Sequence, residues 1–121
     1  MAVDPFAERL AKVRHRFVSA LESKIEDSYA AIPRLTGMTS EAAEEVAEMY
    51  RRMHGLVGIG PTVGFAATGR AARGAEHVLL EPHHAKRGLS TQEVDSLRKA
   101  LHGLREAATR ELQSFYAAGW R

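Results

Sequence analysis

No cysteine occurs among the 121 residues, which excludes disulfide staples and thiolate metal sites and fits a reducing compartment. No apolar run approaches the ~20 residues needed to span a bilayer, and the opening MAVDPFAERLAKVRHRF lacks the ~7–15-residue apolar segment of a secretory signal. The expected location is therefore the cytoplasm, with no membrane partner. No stretch alternates apolar and polar residues with a period of two, so no sheet is expected. Neither charge dominates: 17 Lys and Arg stand against 15 Asp and Glu, a net +2. With acids interleaved along the basic segment of Arg9, Lys12, Arg14 and Arg16, a solvated face is expected there rather than a nucleic-acid surface. Internal repeats, low-complexity segments and domain-sized linkers are also missing. Residues 1–121 therefore read as one domain, large enough to bury a single core.

What is present is helical periodicity, four times over. Asp4 before Pro5 reads as an N-cap with proline at the first helical position. Phe6, Leu10, Val13, Phe17, Leu21, Ile25, Tyr29 and Ile32 then recur at steps of three and four, to an end near Pro33. Thr39 or Ser40 caps a second helix, with Glu41 and Glu44 near its start and Val46, Met49, Tyr50, Met53, Leu56 and Val57 as its stripe. A third begins between Pro61 and Gly64, carries Phe65, Ala72, Ala75 and Leu79, and is expected to stop before Pro82 at a polar loop, EPHHAKRG. Ser90 and Glu93 form a capping box for the fourth, whose apolar face holds Val94, Leu97, Leu101, Leu104, Ala108, Leu112 and Phe115. Short connections between four amphipathic helices imply an all-α, antiparallel up-and-down four-helix bundle.

One stretch of the second helix does not fit a purely structural reading. RRMHGLVGIGPTVGFA sets His54 among glycines, and a glycine inside a helix costs roughly 0.5–1 kcal/mol relative to alanine. At about 100° per residue, with Val46 at zero, the apolar stripe centres near 340° and His54 falls at about 80°, on the border with solvent. Gly55 and Gly58 lie on its solvent side. Two explanations stand: the helix is ending, or side chains have been cleared away around an imidazole.

The spacing resembles the histidine-containing phosphotransfer (HPt) domain family, whose members relay phosphoryl groups on a four-helix bundle. The family pattern is close to H-x-L-K-G-S, followed by a Gly-Phe-like start to the next helix and alanines beyond. Here the chain reads His54-Gly55-Leu56-Val57-Gly58-Ile59, then Gly64-Phe65, then Arg70-Ala71-Ala72-Arg73-Gly74-Ala75-Glu76. Two positions depart: Val57 stands where the family usually has lysine, and Ile59 where serine is common. The resemblance implies His54 as phosphoacceptor, with Gly55 and Gly58 forming the surface through which a partner reaches it. Arg73, and less favourably Arg51, is the candidate cation to stabilise the phosphoryl group in place of the lysine. It further implies response-regulator receiver domains and a hybrid sensor kinase as partners in a two-component phosphorelay. No cofactor is implied on this chain, the magnesium belonging to the receiver. Two other readings remain: an HPt-like binding or inhibitory module that has lost transfer, and a structural bundle with an incidental histidine.

The remaining histidines suggest less. His77, His83 and His84 are close in sequence, but Glu81 alone does not complete a recognisable ligand spacing, so no metal site is expected. His15 and His102 sit among charged residues on their helices and read as solvated.

Overall fold

At the amino terminus Asp4 does cap the chain, its carboxylate accepting the Phe6 N–H at 3.0 Å, and α1 runs over Pro5–Ala31. The computed structural model describes residues 4–119; the first three residues and the Trp120–Arg121 tail, left unclassified by the sequence, lie outside it. α1 tightens into a 3₁₀ turn, Ile32–Leu35, where Pro33 ends the α-helical ladder. Thr39, of the two cap candidates, accepts the Ala42 N–H at 3.1 Å and opens α2, Ser40–Ile59. A second 3₁₀ turn, Pro61–Val63, leads to α3, Ala66–Ala85. The Ser90–Glu93 capping box is formed in both directions and opens α4, Thr91–Ala117. Among the described residues there is no strand, only an isolated bridge of Thr36 with Leu89.

The helices pack as an antiparallel bundle because each buries one stripe and the turns between them are short. Side-chain pairs tie neighbouring helices together. Arg52 donates to Ser28 between α2 and α1, Arg105 pairs with Glu26 between α4 and α1, and Thr68 donates to Glu111 between α3 and α4. The shared core includes Leu21, Leu35, Val46, Met53, Leu79, Leu97, Leu101 and Leu104, all fully enclosed. Each such leucine contributes roughly 1.5–3 kcal/mol relative to an exposed one. Phe65 closes one end, its ring 5.2 Å from Phe17 and 5.9 Å from Phe115.

Three expectations need correction. α3 does not stop before Pro82: it continues through that residue to Ala85 and ends where Lys86 takes a left-handed conformation. Pro82 falls in the last turn, so its missing N–H removes one helical bond only, its ring is buried, and its carbonyl still accepts from Arg87 at 3.1 Å. The polar loop therefore shrinks to the residues after Ala85. Second, the apolar stripe of α1 is not buried from its start. Phe6 is 65 % exposed and Val13 38 %, Leu10 is only half-buried against the core, and full burial begins at Phe17, because α4 ends near this level and covers little of the first turns. Third, α3 starts later than expected and has no capping side chain of its own. Glu111 reaches across from α4 and accepts the Ala67 and Thr68 N–H groups at 3.3 and 2.6 Å, an acidic partner for the positive end of the helix.

Candidate functional site

The glycines around His54 divide into three kinds. A Cβ on Gly60 would lie 2.8 Å from the Leu56 carbonyl oxygen and 2.9 Å from that of Phe65, so this position is bare to let two turns close on each other. Gly64 has φ +89° and makes the left-handed turn into α3. Gly55 and Gly58 have no atom within 4 Å of where a Cβ would sit. They face open space inside an unbroken stretch of α2. Helix termination thus accounts for Gly60 and Gly64, and leaves Gly55 and Gly58 to be explained by something outside the fold.

His54 stands beside that clearing with its side chain 70 % exposed, and its Nδ1 is 2.5 Å from Oε2 of Glu76 on α3, a carboxylate only 18 % exposed. An ionised carboxylate can only accept, so the proton in this contact belongs to Nδ1. In the neutral ring Nε2 then carries a free lone pair. The ring plane is also supported. Tyr50, one turn earlier, lies 10° from parallel with it at a centroid distance of 6.0 Å, and His83 stacks on Tyr50 at 4.6 Å. Glu76 sets the tautomer, and the Tyr50–His83 stack limits the swing of the ring.

α2 and α3 run antiparallel, so positions after His54 meet positions before Glu76. Pro61, seven residues on, lies against Gly69, seven residues back. By that register Arg73 is level with Val57, and it is exposed. Val57 itself is half-buried and packed against the core, as its place within the stripe required. Arg51 points the other way and pairs with Glu48 at 2.9 Å. Of the two candidate cations, then, Arg73 stands level with Val57, and Arg51 is engaged a turn earlier.

Of the clustered histidines, His83 belongs to the aromatic stack and has the exposed His84 ring 5.8 Å away, while His77 is exposed; among the described residues no group of three or more His, Asp or Glu side chains is placed to hold a metal ion. His102 pairs with Glu106 at 2.6 Å on the surface of α4. Two neighbours of His54 escaped the sequence reading. Glu76 counted only as part of a motif and Tyr50 only as a stripe residue. The step of four from Tyr50 to His54 was a usable signal, whereas the pairing with Glu76 needs the α2–α3 register.

Away from the site, one ion pair is strongly perturbed. The Arg87 guanidinium, 2.8 Å from the carboxylate of Glu93, together with the Ser90 N–H, pushes the Glu93 carboxyl down to about 2. This pair fastens the turn before α4 to its first residues.

The fold and site so described define an all-α bundle in which a solvent-facing imidazole, His54, is held by a carboxylate from the neighbouring helix beside two bare glycines. Compared with protein-family models, with curated proteins and with solved structures, the chain matches none. Among the described residues no helix is long and apolar enough to cross a membrane.

Proposed function

We propose that this protein is a phosphocarrier, accepting a phosphoryl group on His54 Nε2 from an aspartyl phosphate of a receiver domain and passing it to another receiver. The observation that carries the reading is the Nδ1 contact with Glu76 beside two glycines facing open space. Nε2 of the neutral ring attacks phosphorus, the bond from phosphorus to the aspartyl oxygen breaks, and the aspartate leaves as a carboxylate. The ring, now carrying the phosphoryl group, holds its Nδ1 proton against Glu76, which balances the positive charge that the ring acquires. Return transfer reverses these steps. Magnesium and most of the charge stabilisation come from the receiver, and Gly55 and Gly58 leave room for its active site. Arg73 is the cation of this chain best placed to assist, in a hybrid-kinase phosphorelay of the cytoplasm.

A second reading has its own observation. Val57 fills the lysine position with a half-buried apolar side chain, as suits a bundle that binds a kinase or receiver without taking up phosphate. Incubation with a panel of phosphorylated receiver domains separates the two. The carrier acquires an acid-labile, base-stable label that His54→Gln abolishes with the helix content unchanged. Label retained in that variant refutes the assignment, and complex formation without label establishes the binding module.

A further inference from the structure

Where α2 begins and α3 stops, the two helices border a cavity of about 370 Å³, towards the small end of the roughly 300–1,000 Å³ typical of ligand sites. Ala43 and Ala47 line it from α2 and the half-buried His83 from α3, and Ser40, Glu44 and Lys86 complete the lining. Two features mark it out. Lys86 has φ 54° and is alone among the described non-glycine residues in the left-handed region. It holds the position after a helix where glycine is ordinary, and its Cβ crowds the following carbonyl there. The Lys86 N–H closes the turn onto the His83 carbonyl at 3.2 Å, a bond that glycine would make as well, so the side chain is the part that the turn does not require. Secondly, the Lys86 ammonium and the Glu44 carboxylate border the same cavity, yet among the described residues neither forms an ion pair.

A cation and an anion that border one apolar cavity without pairing match a ligand that carries both charges and an apolar body. We propose that this cavity binds a zwitterionic α-amino acid with an aromatic side chain. Its carboxylate meets Lys86, its ammonium meets Glu44, and its ring lies on Ala43 and Ala47 beside His83. Both ligand charges are then paired, and the alanines admit a flat ring where longer side chains would fill the space. Occupancy reaches His54. The His83 ring stacks on Tyr50 at 4.6 Å, and Tyr50 lies 10° from parallel with the His54 ring, so an occupant that fixes His83 also favours one setting of the imidazole. The cavity and its ligand do not depend on the phosphocarrier reading; only an effect of the ligand on labelling does.

The test is an NMR titration of the isotope-labelled full chain with L-phenylalanine, with phenylpropionate, which lacks the ammonium, and with phenethylamine, which lacks the carboxylate. Phenylalanine is expected to give saturable shifts centred on Ala43, Ala47 and His83, with a Kd of about 1 mM. Each analogue is expected to bind about tenfold more weakly, because it leaves one charge of the cavity unpaired. Lys86→Gln is expected to lose about tenfold for phenylalanine, and Glu44→Gln to bind phenylalanine and phenylpropionate alike. Lys86→Gly is expected to lose binding as Lys86→Gln does, while raising the urea midpoint. The His54 ring signals are expected to move along the same saturation curve in the wild type and to stay still in Tyr50→Leu, which keeps the binding. No saturable shift, shifts centred elsewhere, equal binding of either analogue to the wild type, or unchanged affinity in Lys86→Gln overturns the site. A lowered midpoint in Lys86→Gly would show that the lysine serves the fold, and overturns the inference too. His54 signals unmoved at saturation overturn the coupling alone. Phenylalanine binding by a chain that no receiver labels would sink the phosphocarrier reading alone, and labelling without phenylalanine binding would sink the amino-acid site alone.

Discussion

Replacing Glu76 with alanine tests how His54 is prepared for chemistry, and its outcome can be read without any partner protein. The carboxylate is 18 % exposed and contacts Nδ1 at 2.5 Å, while the imidazole is 70 % exposed. A hydrogen bond to a charged group is worth roughly 1.5–3 kcal/mol, but water competes for so open a ring, which brings the expected value to about 1 kcal/mol. That corresponds to about a fivefold change in the ratio of the two neutral tautomers. Free imidazole side chains favour the proton on Nε2, so in Glu76→Ala the ratio of the Nδ1-protonated to the Nε2-protonated ring should fall by about that factor, and with it, by somewhat less, the population with an available Nε2 lone pair. Two-bond ¹H–¹⁵N spectra report the tautomer directly, and the rate of labelling by a phosphorylated receiver should fall in parallel. Glu76→Gln should retain most of both, because its carbonyl oxygen can accept from Nδ1 as well. Alanine suits a helix interior, so the fold should persist. An unchanged tautomer ratio in Glu76→Ala would refute the preparatory role, and faster labelling would refute the charge argument.

The glycines give opposite predictions for the same substitution. Gly58→Ala meets open space and should raise stability by about 0.5–1 kcal/mol, whereas Gly60→Ala forces a methyl within 3 Å of two carbonyl oxygens and should cost about 1–3 kcal/mol; urea midpoints at constant m decide both. Gly58→Gln should leave stability near wild type but slow labelling, if the clearing exists for a partner. Arg51→Ala and Arg73→Ala should each reduce labelling by less than about threefold, both side chains being exposed, and Val57→Lys should add little. Labelling that appears only in Val57→Lys would replace the carrier with the binding module. The Glu93 carboxyl is lowered by the fold from its ordinary value near 4.5 to about 2. Its contribution is therefore complete above about pH 4.5 and is lost as pH falls towards 2. After discounting for solvent screening, that loss should be about 1–2 kcal/mol, measured by urea unfolding across this range and absent in Glu93→Gln.

The all-α class, the caps at Asp4 and Ser90, the second cap to within Thr39 or Ser40, and the border position of His54 were legible in the chain alone, because each depends on interactions within about a turn of helix. Periodicity places Val57 in the core and His54 at its edge without reference to any other element. What the sequence could not supply was what lies opposite each face. Phe6 and Val13 continue the stripe of α1, and only the position where α4 ends leaves them in water. Pro82 reads as a helix stop, yet falls in a last turn that loses one bond and buries the ring. Gly55 and Gly60 look alike in a string of glycines, but one faces solvent and the other two carbonyl oxygens. Glu76 and His54 are 22 positions apart, and only the register of α2 on α3 sets that carboxylate against Nδ1. Likewise the acids and bases of α1 alternate in sequence, and it is the packing of α4 on one side that gives Glu26 a partner in Arg105. Local hydrogen bonding and side-chain spacing determine the helices; long-range packing decides which of their faces remain available for chemistry.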